Sequence, residues 1–110
     1  MKRTNELVFI EHIRDAVNNI LEFTEGCAEE DFKNDKKTFS AVVRMLEIIG
    51  EATSKLTQEF KDQYPDIPWQ DMKDMRNKLI HEYFTVDAEI VWELLQEDIP
   101  DLKEQLEEIE

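Results

Sequence analysis

Lys36-Lys37-Thr38-Phe39-Ser40-Ala41-Val42-Val43-Arg44-Met45-Leu46-Glu47-Ile48-Ile49-Gly50-Glu51-Ala52-Thr53-Ser54-Lys55-Leu56-Thr57-Gln58-Glu59-Phe60 is the stretch on which the fold turns. Phe39, Val42, Leu46 and Ile49 recur at the three- and four-residue spacing of one helical face, and Ala41, Met45, Ile48, Ala52 and Leu56 follow a second. A helix that is apolar nearly all round is central, so the spacing predicts a middle helix from about Lys36 to Phe60 with neighbours on two sides. A short chain has little with which to surround such a helix, and one face is expected to meet a second subunit. The alternative is the middle helix of a monomeric bundle. Gly50 in a helix interior costs about 1 kcal/mol relative to alanine, which points to close backbone approach by a neighbour.

Upstream, Ile10, Ile13, Val17, Ile20 and Leu21 give a buried stripe to a first helix from about Asn5 to Thr24, with Phe9, Ala16 and Phe23 beside it. Gly26 is placed to end that helix, and residues 28–33 have room for a short helical turn around Phe32. Downstream, Tyr64-Pro65-Asp66-Ile67-Pro68-Trp69 breaks the periodicity as a rigid elbow. Pro68 suits the first position of a third long helix reaching about Glu82. Asp87 can cap a last helix carrying Ile90, Val91, Leu94 and Leu95, which Pro100 should kink or restart before Leu102, Leu106 and Ile109. Two glycines, three prolines and 36% charged residues in 110 fit the same picture. The expectation is all-α: one domain over residues 1–110, an up-and-down four-helix bundle with one short extra helix.

Thirteen basic against 27 acidic residues leave a net charge of −14, which repels polyanions at long range and weighs against non-specific nucleic-acid binding. A nuclease needs only a locally positive site, and the acidic remainder would suit a basic protein partner or solubility. Cys27, the single cysteine, cannot form an internal disulfide. The amino terminus lacks the apolar run of a secretory signal, and no stretch is long and apolar enough for a membrane span. A soluble cytoplasmic protein without membrane contact is expected. Neither histidine has a glutamate three residues before it, which removes the usual di-metal carboxylate pattern. Phosphate-binding glycine loops and paired cysteines are absent as well, and Ser40, Ser54 and Cys27 lack a context that would activate them. No metal and no cofactor are expected.

His12, between Glu11 and Ile13, reads as a surface histidine. His81 differs, because Arg76, Asn77, Lys78 and Tyr83 lie within the same eight residues. On a regular helix Met72, Met75 and Leu79 form a core-facing stripe, Asn77 and His81 share nearly the opposite side, and Arg76 and Tyr83 lie along the stripe's edge. Arg76 and His81 then stand far apart around one helix, and a two-fold axis that lines one cleft with both copies would bring them together. The chemistry that fits is metal-free RNA cleavage. A histidine with a pKa near about 6.5 moves the proton of a ribose 2′-hydroxyl or of the leaving 5′-oxygen, while an arginine fork holds the phosphate. By itself a helix end rich in arginine, histidine and tyrosine is most often just a polar surface.

Arg76-Asn77-Lys78-Leu79-Ile80-His81-Glu82-Tyr83 resembles the R-x4-H-x-Y motif of HepT-type toxins of the HEPN superfamily. Phe23-Thr24-Glu25-Gly26, Arg44 to Ala52, Ile67-Pro68-Trp69 and Val91-Trp92 resemble that family in order and spacing, so the likeness covers essentially the whole chain. The resemblance implies a homodimeric helical bundle that cleaves RNA, with Arg76 and His81 as the catalytic pair and Asn77 in support. It also implies a toxin–antitoxin system in which a minimal nucleotidyltransferase antitoxin transfers AMP from ATP onto Tyr83, placing a bulky anion beside the cleft. Arg44, Glu47 and Glu51 are open between orienting Arg76 or His81 and forming an exposed face on which the two glutamates repel. The competing reading is a HEPN domain that serves a nucleotidyltransferase complex as a binding or regulatory subunit without cutting RNA.

Overall fold

The computed structural model describes residues 2–81 and 87–109, with side chains from Glu6 to Lys78 and from Asp87 to Ile109. They form α1 (Lys2–Phe23), α2 (Glu29–Asn34), α3 (Lys36–Ser54), α4 (Gln58–Asp62), α5 (Trp69–His81), α6 (Ala88–Gln96) and α7 (Asp98–Leu106). No strand occurs among the described residues, as an all-α fold requires. Four rods, α1, α3, α5 and the broken α6–α7 arm, carry the bundle, and two short helices, α2 and α4, stand where one was expected.

Helix α3 is the middle element, packed on α1 along one side and on α5 along another. Val42, Val43, Leu46 and Ile49 are buried, and so are Ala52 and Leu56 from the second apolar face. Both faces are thus used largely within the chain, leaving Ala41, Met45 and Ile48 half-buried. Helices α1 and α5 thus cover most of the first face and the Ala52–Leu56 end of the second.

The middle helix is shorter than its periodicity predicts, ending at Ser54 instead of Phe60. The amides of Lys55 and Leu56 reach back three residues to the carbonyls of Ala52 and Thr53, both at 3.1 Å, which tightens and closes the helix. Thr57 is extended (φ −74°, ψ 155°) and caps α4 by accepting from the Phe60 amide at 3.1 Å. Its own amide donates to the buried Glu6 carboxylate at 3.0 Å. Leu56 and Phe60 remain buried across the break, so the apolar spacing continues while the helix does not.

Gly26 ends α1 with a positive φ of 73°, as its position suggested. Asp35 caps α3 by accepting from the Thr38 amide and hydroxyl, and these bonds hold its carboxyl below the usual carboxylate range. Asp87 caps α6 through the Glu89 amide at 2.8 Å. The arm restarts at Asp98, which puts Pro100 inside the first turn of α7, where a missing N–H is tolerated. Arg14 of α1 donates to the carbonyls of Leu106 (2.9 Å) and Ile109, and Lys103 of α7 donates to Asn18 at 2.9 Å, latching the last helix onto the first.

Candidate functional site

The elbow sets where α5 begins. The Trp69 indole is buried against Phe60 and donates to the carbonyls of Lys61 (3.2 Å) and Tyr64 (3.1 Å), so the loop and α4 are tied to the first residue of α5. Pro68 does not enter the helix but precedes it, its carbonyl accepting the Met72 amide at 3.1 Å. From this fixed start, Met72 points into the core and Met75 packs beside it.

Arg76 then falls on Gly50. A Cβ on Gly50 would lie 2.0 Å from the Cβ of Arg76, 2.7 Å from its Cγ and 3.0 Å from the Met72 carbonyl oxygen. These separations are too short for real atoms, so only glycine lets α5 lie this close to α3. The close approach expected at Gly50 is therefore present, and the group that fills the space is the stem of the arginine in the motif. Sequence reasoning did not identify that neighbour; its only signal was a glycine in an otherwise apolar helix.

The close contact leaves Arg76 half-buried. Its Nε is shielded from solvent and has no hydrogen-bond partner among the described residues, while Nη1 donates to the Asn77 Oδ1 at 3.3 Å. A guanidinium with an unmatched buried N–H and an outward terminal nitrogen has donor capacity left for an oxyanion. Asn77 is exposed, as its position opposite the Met72 stripe implies, and Lys78 is exposed beside it. His81 is the last residue of α5, five positions after Arg76, and its side chain lies outside the described residues, as does all of Tyr83.

Arg44, Glu47 and Glu51 form their own group on α3. Arg44 Nη1 lies 3.5 Å from Glu47 and 3.4 Å from Glu51, so its charge offsets the repulsion between the two carboxylates. Neither glutamate forms an ion pair with Arg76 among the described side chains, and the His81 side chain lies outside them. His12 is exposed on α1 with its ring edge-on to Phe9 at 6.2 Å between centroids, in keeping with a surface histidine.

Among the described residues no helix is long and apolar enough to cross a membrane. No solved structure matches the chain significantly. A probable ribonuclease HepT of Thermococcus cleftensis is 48% identical over 109 residues, covering 99% of this chain and 98% of its own length. A Methanocaldococcus jannaschii protein named as a candidate RNase is 36% identical over 107 residues, 97% of this chain and 98% of its own. A similarly named protein of Caldanaerobacter subterraneus is 43% identical over 101 residues, covering 92% and 90%. The family model described as ribonuclease HepT-like matches residues 13–109, and with relatives alike over nearly their full length the chain belongs to the ribonuclease HepT-like family.

Proposed function

We propose that residues 1–110 act as a single HEPN domain that cleaves RNA internally without a metal ion. The observation that supports this most is the seating of Arg76 on Gly50, which presents a guanidinium with unused donors on the helix that ends in His81. In this reading His81 takes the proton of a ribose 2′-hydroxyl or delivers one to the departing 5′-oxygen. Arg76 holds the phosphate and stabilises charge growing on its oxygens, and Asn77 steadies Arg76 through the Nη1 contact. Two copies related by a two-fold axis would place both pairs along one cleft. The system-level reading follows the family: a toxin neutralised when a nucleotidyltransferase antitoxin transfers AMP to the Tyr83 hydroxyl with release of pyrophosphate. The added anion would then occupy the arginines that otherwise hold RNA.

The test is cleavage of a labelled RNA in the presence of EDTA. Wild-type protein is expected to cut and leave 2′,3′-cyclic phosphate ends. His81→Ala and Arg76→Ala should each be slower by about 10²-fold or more with an unchanged circular dichroism spectrum. Cleavage that requires added magnesium would sink the metal-free mechanism. For the control step, mass spectrometry after incubation with the nucleotidyltransferase and ATP should show added AMP on wild type and none on Tyr83→Phe. A second reading, a binding subunit that does not cut RNA, is favoured by the net charge of −14. Equal residual activity of wild type and His81→Ala would select it.

A further inference from the structure

Between α5 and the α6–α7 arm lies a cavity of about 220 Å³ that the ribonuclease reading does not use. Met72, Met75, Ile99 and Leu102 form its apolar floor, and Asp71, Asp98, Asp101 and Gln105 form its rim. Asp71 stands in the first turn of α5, and Asp98 and Asp101 in the first turn of α7, so each carboxylate suits its own helix. Their convergence on one groove is a separate matter. None of the three has an ion-pair partner among the described residues. Burial, helped by the charges of Glu97, Asp101 and Asp71, pushes the Asp98 carboxyl above the usual carboxylate range.

Gln105 completes the pattern. Its amide nitrogen donates to the Asp66 carbonyl at 3.1 Å, while its own carbonyl oxygen is buried without a hydrogen-bond partner. Every polar side chain of the lining thus offers acceptor oxygens, and the one amide nitrogen is already engaged. An apolar floor beneath an acceptor rim is complementary to arginine or lysine, whose methylene stem lies on the floor while its charged head reaches the rim.

We propose that this groove docks a basic amphipathic segment of a partner protein, which inserts an arginine or lysine next to an apolar side chain. The sign of the charge selects among occupants. RNA is a polyanion and is repelled by the rim, and a second copy of this chain, at −14, brings the same sign. A basic partner brings the opposite one. The volume suits one or two side chains, which is the scale of an interface anchor more than of a whole helix.

The probe is a short synthetic amphipathic peptide with leucines on one face and arginines beside them, compared with the same peptide carrying glutamates in place of arginines. Calorimetry and amide-shift mapping are read on the full chain. The arginine peptide should bind with shifts centred on Met72, Met75, Ile99 and Leu102, and the glutamate peptide should not bind. Asp71→Asn/Asp98→Asn/Asp101→Asn is expected to weaken binding about tenfold, whereas Glu104→Gln/Glu107→Gln/Glu108→Gln, of equal net charge, should change it by less than about twofold. If the aspartate triple variant does not fold, the exposed Asp101→Asn alone should weaken binding about threefold, and no change there would count against the groove. Equal weakening by both triple variants would mean diffuse attraction to an acidic surface and overturn the proposal. Binding of the glutamate peptide would also overturn it, as would self-association in sedimentation that the aspartate variant abolishes, since the occupant would then be a second copy.

Discussion

The two sides of α3 are held by different means. Helix α1 brings Ile10, Ile13, Ala16, Val17 and Ile20 to the core, all at 2% exposure or less, so its hold is that of buried apolar area. Among its described side chains α5 brings only Trp69 and Met72 to full burial, and where it crosses Gly50 the contact is an arginine stem and a backbone carbonyl. One interface depends on volume, the other on how closely two backbones approach. A half-buried charge can sit in the second because its stem fills space that a side chain on α3 would otherwise occupy.

The largest expected effect is on the first interface. Ile13→Ala, at a fully buried position, should cost about 3 kcal/mol in urea unfolding while RNA cleavage per folded molecule stays near wild type. Gly50→Ala tests the second. Overpacking of up to about 3 kcal/mol is offset by about 1 kcal/mol of helix propensity, for a net loss near 2 kcal/mol. RNA cleavage should fall more than the fraction folded does, because Arg76 is displaced. In an Arg76→Gly background the penalty of Gly50→Ala should shrink by about 1 kcal/mol in a double-mutant cycle, and full additivity would show that the two helices do not meet as described.

Smaller effects sharpen the contrast. Thr57→Ala removes the α4 cap and should lower stability by about 1 kcal/mol, loosening the elbow that starts α5 while the Ile10–Ile20 body of α1 keeps its hydrogen-exchange protection. The least is a pH effect at the groove. Asp98 has a folded pKa raised above its unfolded value, so between the two the folded chain binds the extra proton. Its contribution favours the fold at low pH and is lost as pH rises through the raised pKa. Asp98→Asn should therefore flatten the stability profile just above the ordinary carboxylate pKa of about 4, and an unchanged profile in thermal melts would contradict the upward shift of that carboxyl.

The helices legible in the sequence were those whose ends carry their own chemistry: Gly26 after α1, Asp87 before α6, and the proline elbow before α5. The break after Ser54 was hidden because Leu56 and Phe60 stay in step with the helix before it, and apolar spacing reports burial more directly than continuity. The cap at Thr57 was the available sign. At the candidate site, spacing separated the buried edge of α5 from the exposed Asn77, and Gly50 announced a close neighbour. Its pairing with Arg76 depends on the register between α3 and α5, which the elbow sets through Trp69 and which no local pattern encodes. The acidic groove was equally out of reach, since Asp71 and Asp98 belong to different helices and meet only after packing.

The latch between the last helix and the first bears on how the chain is made. Arg14 bonds to carbonyls 92 and 95 residues downstream, and Lys103 to a partner 85 residues upstream, so none of these contacts can form before α7 has been synthesised. The α1–α3 pair is available much earlier, when the ribosome has released roughly half the residues that α7 needs. Folding is therefore expected to begin as a two-helix nucleus and to close late, with loop-closure entropy concentrated in that final step.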